Sequence, residues 1–273
     1  MNGLRVTVLA SGSAANAFLL EAGGERLLVD AGLSLEALER ALARAGAVMH
    51  DLRAVVLTHE HDDHARGAGP LGRASGVPVY ATAATAAAAG VALAGADIRP
   101  FAAQAPFSVG AFEVTAFPVP HDAAEPVGLA IAAAGRRVVV ATDLGTADDV
   151  LDAHLAAADL AVLESNYDLG LLHVSGYPWF LKNRILGGRG HLSNDEAARA
   201  LARTAAPGAR NGGRHAGARR RRGVCLVHLS DTNNLAALAR DTVRAALAEA
   251  GADGVPLMAV RPNGWSDPVI VDW

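Results

Sequence analysis

Short runs of apolar residues separated by turn residues open the chain. The first three runs are residues 4–10, 16–22 and 25–30. Such runs, bounded by Gly and Ser, indicate β-strands. Residues 34–46 instead place apolar positions at helical spacing between Ser34, a good N-cap, and Gly46, a good helix stop. This second pattern predicts a helix.

Strand patterns and helix patterns alternate along the rest of the chain. Beyond a strand at 53–58, residues 77–142 are strand-rich. The remaining predicted elements are a helix (146–157), a strand (159–164), an irregular aromatic segment (165–190), a helix (193–205), a strand (223–229), a helix (234–250) and a closing strand pair (256–260 and 268–272). The alternation in both halves predicts one α/β domain over residues 1–273, with two sheets packed face to face and helices outside.

One segment fits neither pattern. Residues 207–223, "PGARNGGRHAGARRRRG", contain six Arg and five Gly and no periodic apolar residue. This composition predicts a solvated, disordered loop within the domain. An insertion without function is the simpler interpretation, and an arm that contacts phosphates is the functional alternative.

Bulk composition narrows the class of protein. The formal net charge of −4 is mild, and the single cysteine, Cys225, excludes an intramolecular disulfide and a Cys-rich zinc site. No uninterrupted apolar run is long enough to span a bilayer, and "MNGLRVTVLASGS" is typical of a strand rather than of a signal peptide. We therefore expect a cytoplasmic protein without a membrane partner, and the sequence leaves its oligomeric state open.

The stretch "LTHEHDDH", residues 57–64, follows an apolar run and is dense in ionisable residues. In an extended segment, the side chains of His59, His61 and Asp63 face the same way. His64 can join them only if the chain turns into a helix there. Imidazoles and a carboxylate suit Zn²⁺, Mn²⁺ or Fe, whereas Glu60 and Asp62 are expected to point away.

Three later residues have the same ligand character. His121, Asp143 and His228 each follow a hydrophobic run, at the point where a buried strand would meet a loop. Any one of them alone would be an ordinary polar residue at a strand end. Together with the first cluster, they indicate a metal centre with more than one ion.

These motifs resemble those of the metallo-β-lactamase superfamily. "THEHDDH" matches its HxHxDH motif, and "LLVDAG" at 27–32, His121, "ATD" at 141–143 and His228 are similar to its other motifs, in order. The resemblance implies a four-layer αβ/βα sandwich with a dinuclear site. By this likeness, one metal is bound by His59, His61 and His121, the other by Asp63, His64 and His228, and Asp143 bridges them. Asp30 would be a support rather than a ligand.

Further stretches resemble one branch of the superfamily, the YycJ/WalJ type, which is related to ribonuclease Z and to phosphodiesterases. The stretches are "LASGSAANAFLLEAGGERLLVDAGLS", "ESNYD", "GYPWFLKNRILGGRGHLSNDEA" and "VHLSDTNN". Members of that branch are regarded as nucleases or phosphodiester hydrolases. The chain departs from the branch at Ala17, where Cys is frequent, and at Tyr167, where His is frequent, and these departures bear on substrate preference.

"GHLSNDEAARAL", residues 190–201, contains a capping box. Ser193 followed by Glu196 predicts a helix start. His191, just before it, resembles the catalytic histidine of ribonuclease Z-like enzymes, which is suited to protonate a leaving oxygen. The alternative is that His191 simply precedes a helix.

The segment before His191 mixes aromatic and cationic residues. Trp179 lies close to Lys182, Arg184 and Arg189. Rings can stack on bases while cations contact phosphates, so these four residues are candidates for substrate binding. A packed aromatic segment with exposed charges is the competing interpretation.

These observations predict a dinuclear metal-dependent hydrolase, in the first place a phosphodiesterase or an exonuclease-like nuclease acting on nucleic acid. A metal-bridged hydroxide would attack, Asp63 would help to orient it and His191 would assist the leaving group. A small-molecule hydrolase of a cyclic phosphate, thioester or lactone is the first alternative. A metal-bound nucleic-acid-binding module without turnover is the second.

Overall fold

The computed structural model describes residues 3–205, 223–262 and 269–271, the last three by their backbone. The predicted Arg/Gly-rich loop, 207–223, lies outside these residues except for Gly223. Gly223 is the first residue of a buried strand, so its assignment to the loop is wrong. The described residues form two compact units, one within 1–118, 123–136 and 263–273, and the other within 119–122 and 137–262.

The first unit contains most of the strands. In chain order its elements are β1 (Leu4–Ala10), β2 (Ala17–Ala22), β3 (Glu25–Val29), α1 (Leu35–Arg44), β4 (Leu52–Val56), α2 (Asp62–Ala65), α3 (Ala68–Ser75), β5 (Val79–Thr82), α4 (Ala83–Ala89), β6 (Ile98–Phe101), β7 (Phe107–Val109), β8 (Phe112–Pro118), β9 (Val127–Ala133) and β14 (Val269–Val271). Two short 3₁₀ helices, Met49–Asp51 and Gly90–Ala92, lie among them.

The second unit alternates strands and helices. Its elements are β10 (Arg136–Ala141), whose first residue belongs to the first unit, α5 (Asp149–Ala156), β11 (Leu160–Glu164), α6 (Leu169–Val174), α7 (Trp179–Leu186), α8 (Asn194–Ala205), β12 (Gly223–Val227), α9 (Ala236–Glu249) and β13 (Leu257–Ala259).

The first sheet has seven strands in the order β14-β1-β2-β3-β4-β5-β6. Its first strands pair antiparallel, and β3 to β6 pair parallel. Parallel neighbours need a crossover connection, and α1, α2 with α3, and α4 provide the three crossovers. The carboxyl ends of β3 and β4 therefore lie side by side, at the edge where Asp30 and the His-rich stretch follow.

The second seven-stranded sheet contains β7 to β13. Strands β7, β8 and β9 pair antiparallel, and β10, β11, β12 and β13 pair parallel. Both sheets are thus mixed, and their parallel strands alternate with helices, so the α/β prediction is confirmed. Helices α5, α6 to α8, and α9 connect the parallel strands, so the carboxyl ends of β10, β11 and β12 meet at one edge.

Local patterns explain α1, the helix predicted at 34–46. The Ser34 hydroxyl accepts a hydrogen bond from the Ala37 amide, and Leu38 and Leu42 are buried. Gly46 adopts a left-handed backbone with φ of 72° after the last turn. The buried face of α1 belongs to the apolar core of the first unit, and the prediction is confirmed.

Two predictions for the second half are wrong. The segment 165–190 is not irregular, because it contains helices α6 and α7. The last two strands do not pair with each other: β13 pairs with β12, and β14 pairs with β1. Within the described ranges, none of the helices has the length and apolar character that crossing a membrane requires.

Candidate functional site

The His-rich stretch begins where β4 ends. His61 is the N-cap residue of α2, which starts at Asp62. The chain therefore turns into a helix just before His64, which is the condition under which His64 can join the other imidazoles. The His59 ring centroid lies 4.7 Å from that of His61 and 4.2 Å from that of His64. His59 and His64 are buried. The turn thus gathers three imidazoles within the first unit.

Asp30, the residue after β3, holds this cluster of imidazoles in place through hydrogen bonds. Its Oδ1 accepts a hydrogen bond from the Thr58 amide at 2.8 Å, and its Oδ2 lies 2.7 Å from Nδ1 of His64. The Thr58 hydroxyl also donates to Asp30, at 2.9 Å, and its oxygen lies 3.0 Å from Nδ1 of His59. One buried carboxylate therefore orients both imidazoles, the supporting position predicted for Asp30.

Asn16 and Asp63 occupy the other side of this cluster. The Asn16 amide donates to the Asp63 carbonyl at 2.8 Å. The Asn16 side-chain nitrogen lies 3.4 Å from Asp63 Oδ2 and 3.0 Å from His64 Nε2. The loop after β1 therefore positions Asp63 beside His64.

Gly32 makes this close approach of two loops feasible. A Cβ atom at Gly32 would lie 1.7 Å from the Asp63 carbonyl oxygen and 2.9 Å from the Asn16 amide nitrogen. We expect Gly32→Ala to lower the free energy of unfolding by about 3 kcal/mol and to reduce the metal content of the purified protein. Thermal unfolding and elemental analysis measure the two effects. Gly254→Ala is the matched control, because a Cβ there would meet nothing within 4 Å, and equal stability of both variants would contradict the prediction.

Glu60 and Asp62 have partners of their own. Glu60 Oε1 accepts a hydrogen bond from the Ala124 amide at 2.7 Å. Asp62 forms an ion pair with Arg66, one turn later on the helix. Both carboxylates are thus engaged in structural contacts, in agreement with the prediction that they point away.

A second cluster forms within the second unit, at the carboxyl ends of three parallel strands. One potential ligand atom from each of Asp143, Glu164, His191 and His228 lies within 4.8 Å of the others. Asp143 Oδ1 is 3.5 Å from His228 Nε2, 3.5 Å from His191 Nδ1 and 3.7 Å from His121 Nε2. The parallel register of β10, β11 and β12 explains why residues far apart in the sequence meet here.

Glu164 is the functional residue that sequence reasoning missed. This fully buried carboxylate accepts hydrogen bonds from Nδ1 of His191 at 2.9 Å and from Nδ1 of His228 at 2.8 Å. Burial raises its pKa, but the charge and hydrogen bond of His191, and then those of His228, lower the pKa to about 2. Its signal in the sequence is a carboxylate that ends the buried run "LAVLE".

His191 is fixed both by its backbone and by its ring. Its amide donates to the Ile185 carbonyl at 3.1 Å. Burial lowers the pKa of His191, but the charge and hydrogen bond of Glu164 outweigh burial, so the net pKa is raised.

Helix α8 begins just after His191. The Ser193 hydroxyl accepts a hydrogen bond from the Glu196 amide, and Glu196 Oε2 accepts one from the Ser193 amide. The predicted capping box is confirmed.

One hydrogen-bonding pattern is shared by four of the five histidines in the implied ligand set. In each of the four, Nδ1 faces an acceptor, which fixes the tautomer that has its lone pair on Nε2. The pairs are His59 with Thr58 Oγ1 at 3.0 Å, His64 with Asp30 at 2.7 Å, His121 with the Gly190 carbonyl at 3.1 Å and His228 with Glu164 at 2.8 Å. Histidines that bind metals commonly donate their other nitrogen in this way. Burial also lowers the pKa of His121, which favours its neutral form. The donor sets therefore suit divalent metal ions.

Three residues of these clusters have strained backbones. Asp30, Asp143 and His228 adopt left-handed conformations with φ of 58°, 57° and 55°. For residues other than Gly this costs about 1–2 kcal/mol each. Each follows a strand closely, so the strain lies where the chain leaves the strand for the loop.

The four residues predicted to bind substrate differ in their exposure and contacts. Lys182 is buried, and its ammonium group donates to the carbonyls of His173 and Ser175 at 2.7 and 2.8 Å. Arg184 pairs with Asp122 at 2.6 Å, and Arg189 donates to the His121 carbonyl at 2.8 Å. These cations thus have structural contacts, whereas the Trp179 ring is exposed.

Comparison with known proteins places the chain in a family. The beta-lactamase superfamily domain matches residues 25–210. The exodeoxyribonuclease YycJ of Bacillus anthracis is 36% identical over 260 residues, 91% of each chain. The exodeoxyribonuclease WalJ of Streptococcus pneumoniae serotype 2 is 35% identical over 253 residues, 91% of this chain and 90% of WalJ.

Solved structures support the same fold. The metallo-beta-lactamase fold protein YhfI from Bacillus subtilis superposes with a TM-score of 0.72 at 19% identity, covering 98% of this chain and 99% of YhfI. The match at this identity concerns the fold alone. Because the family match covers more than half of the sequence and the two relatives match along nearly its whole length, the chain belongs to the beta-lactamase superfamily domain family, in the group that contains YycJ and WalJ.

Proposed function

We propose that this protein is a metal-dependent hydrolase of phosphodiester bonds that acts on DNA as an exonuclease. The observation that carries the proposal is the cluster of buried Asp143, Glu164 and His228 with partly exposed His191. It joins metal-type donors to His191, a histidine that the implied ligand set does not use. The names of YycJ and WalJ, both exodeoxyribonucleases, support DNA as the substrate.

The proposed metal ligands follow the family likeness. One ion would be held by His59, His61 and His121, the other by Asp63, His64 and His228, with Asp143 shared. Imidazoles and carboxylates suit Zn²⁺, which is the first candidate, and Mn²⁺ or Fe would also fit. When bound, such cations lower the pKa of water and stabilise charge on phosphoryl oxygens.

In this proposal, the protein's own residues donate the proton to the leaving group and orient the attacking water. Glu164 accepts a hydrogen bond from Nδ1 of His191, which leaves Nε2 to donate a proton to the departing oxygen. The charge and hydrogen bond of Glu164 raise the pKa of His191, which favours its protonated form. Asp63, held by Asn16, would help to orient the attacking water. A cytoplasmic location belongs to the same proposal, supported by the single buried cysteine.

The test is a substrate panel. Protein loaded with Zn²⁺ or with Mn²⁺ is incubated with end-labelled single-stranded and double-stranded DNA and RNA, and the products are separated by length. We expect release of mononucleotides or short products from DNA ends. Internal cuts in circular DNA would contradict exonuclease action. Hydrolysis of a cyclic phosphate, thioester or lactone without any action on oligonucleotides would favour the small-molecule alternative.

A further inference from the structure

Two adjacent aromatic side chains, Trp179 and Phe180, begin helix α7 and face solvent. We call them the aromatic tip. Trp179 is 69% exposed and Phe180 is 74% exposed. In the part of the chain that the structure describes, every other Phe, Tyr and Trp side chain is buried or half-buried. Exposing two large rings side by side is costly, so this placement calls for an explanation in terms of a ligand.

Helix α7, which carries the aromatic tip, is packed against its neighbours. Tyr167, Leu172 of α6 and Ile185 of α7 form a small buried cluster. The buried ammonium group of Lys182 donates to the carbonyls of His173 and Ser175 and so closes the turn between the helices. The two rings are therefore exposed on a firm support, and not because the segment lacks packing.

The other end of α7 leads directly to the candidate catalytic histidine. Arg184 pairs with Asp122, Arg189 donates to the His121 carbonyl, and the His191 amide donates to the Ile185 carbonyl. Helix α7 has 8 residues and at about 1.5 Å per residue spans about 12 Å. At about 3.4 Å per stacked nucleotide, this length corresponds to about three or four nucleotides.

We infer that the aromatic tip stacks on unpaired bases of the DNA strand, a few nucleotides from the bond that is cleaved. This inference rests on the proposed function. Each base offers a π face, so two rings can hold a strand without regard to its sequence. A paired duplex hides these faces inside its stack, so the surface fits the single-stranded end of a DNA chain. In this arrangement Lys182, Arg184 and Arg189 position α7, and they are not phosphate contacts.

The test compares ring-removing with ring-retaining double variants. Trp179→Leu/Phe180→Leu keeps an apolar surface but removes the rings, whereas Trp179→Phe/Phe180→Tyr keeps both rings. With a long single-stranded oligodeoxynucleotide we expect the leucine variant to raise KM about tenfold or more and the ring-retaining variant to stay near the wild type. Hydrolysis of a dinucleotide, which is too short to reach the tip, should change far less. Val91→Ala, at an exposed apolar residue of the first unit, is the control.

A binding measurement separates this inference from the proposed function. A nuclease-resistant phosphorothioate oligodeoxynucleotide should quench the fluorescence of the wild-type protein, and Trp179→Phe should lose most of that quenching. If the wild-type protein hydrolyses no phosphodiester, the proposed function fails, while the quenching still tests the tip. The inference itself is overturned if the leucine variant binds the oligodeoxynucleotide as tightly as the wild type, or if KM rises equally for the dinucleotide. Equal binding by the leucine variant would point to a protein or lipid partner instead.

Discussion

Asp143→Asn protein is expected to lose its bound metal and with it essentially all hydrolysis. Three imidazoles, those of His121, His191 and His228, lie within 3.7 Å of Asp143 Oδ1. Loss of an outer support alone typically weakens metal binding by about 10–100-fold. Because Asp143 is a buried anionic ligand in the proposed site, Asp143→Asn should weaken metal binding by more than about a hundredfold. Elemental analysis of dialysed protein and an oligonucleotide assay measure the two effects.

The control for this substitution is Asp241→Asn. Asp241 forms an exposed ion pair with Arg240 on α9. Replacing its carboxylate by the amide of Asn should therefore leave both metal content and turnover unchanged. The amide at position 143 has nearly the same shape as the carboxylate, which limits damage to the fold. An Asp143→Asn protein with full metal content and wild-type kcat would remove Asp143 from the proposed ligand set.

His191→Ala is expected to separate metal binding from turnover. If His191 protonates the leaving oxygen, its removal should lower kcat about 10²–10⁴-fold while metal content stays near that of the wild type. Substrates whose leaving groups differ in basicity then show whether His191 acts as the proton donor. A nitrophenyl phosphodiester releases a weakly basic phenolate that needs no proton, so the variant should hydrolyse it at nearly the wild-type rate, in contrast to DNA.

His50→Ala serves as the matched control for His191→Ala. His50 lies in a short 3₁₀ helix of the first unit, away from the second-unit cluster in sequence, and its loss should alter neither substrate. A purely structural role for His191 would slow both substrates alike. That outcome, or unchanged DNA hydrolysis, would refute the proposed proton donor.

Local sequence patterns were sufficient to predict the elements whose stabilising features lie close together in the sequence. Helix α1 carries its N-cap, its apolar face and its glycine stop within a few residues, and so could be predicted nearly to its ends. Helices α6 and α7 have 6 and 8 residues, which is too short for a helical period to stand out among Gly and Pro. The pairing of β14 with β1 joins the two ends of the chain, and no local pattern encodes such a contact.

Local sequence patterns likewise predict only part of the candidate site. Each of His59, Asp143 and His228 could be selected because a ligand-type residue stands at the end of an apolar run. Glu164 stands at such an end too, but its hydrogen bonds reach His191 and His228, 27 and 64 residues away in the sequence. The order of β10, β11 and β12 creates that proximity. The proposed division of ligands between two metals, and the prediction of one domain, stay predictions.

The left-handed backbone of Asp143 has a consequence for engineering. A buried carboxylate on a strained backbone disfavours folding in the absence of its cation, and glycine would remove the strain. Under the proposed function, selection of variants by melting temperature alone would therefore favour replacements at this position that abolish activity. Stabilisation of this protein should be scored together with turnover, because the strained position is also a proposed metal ligand.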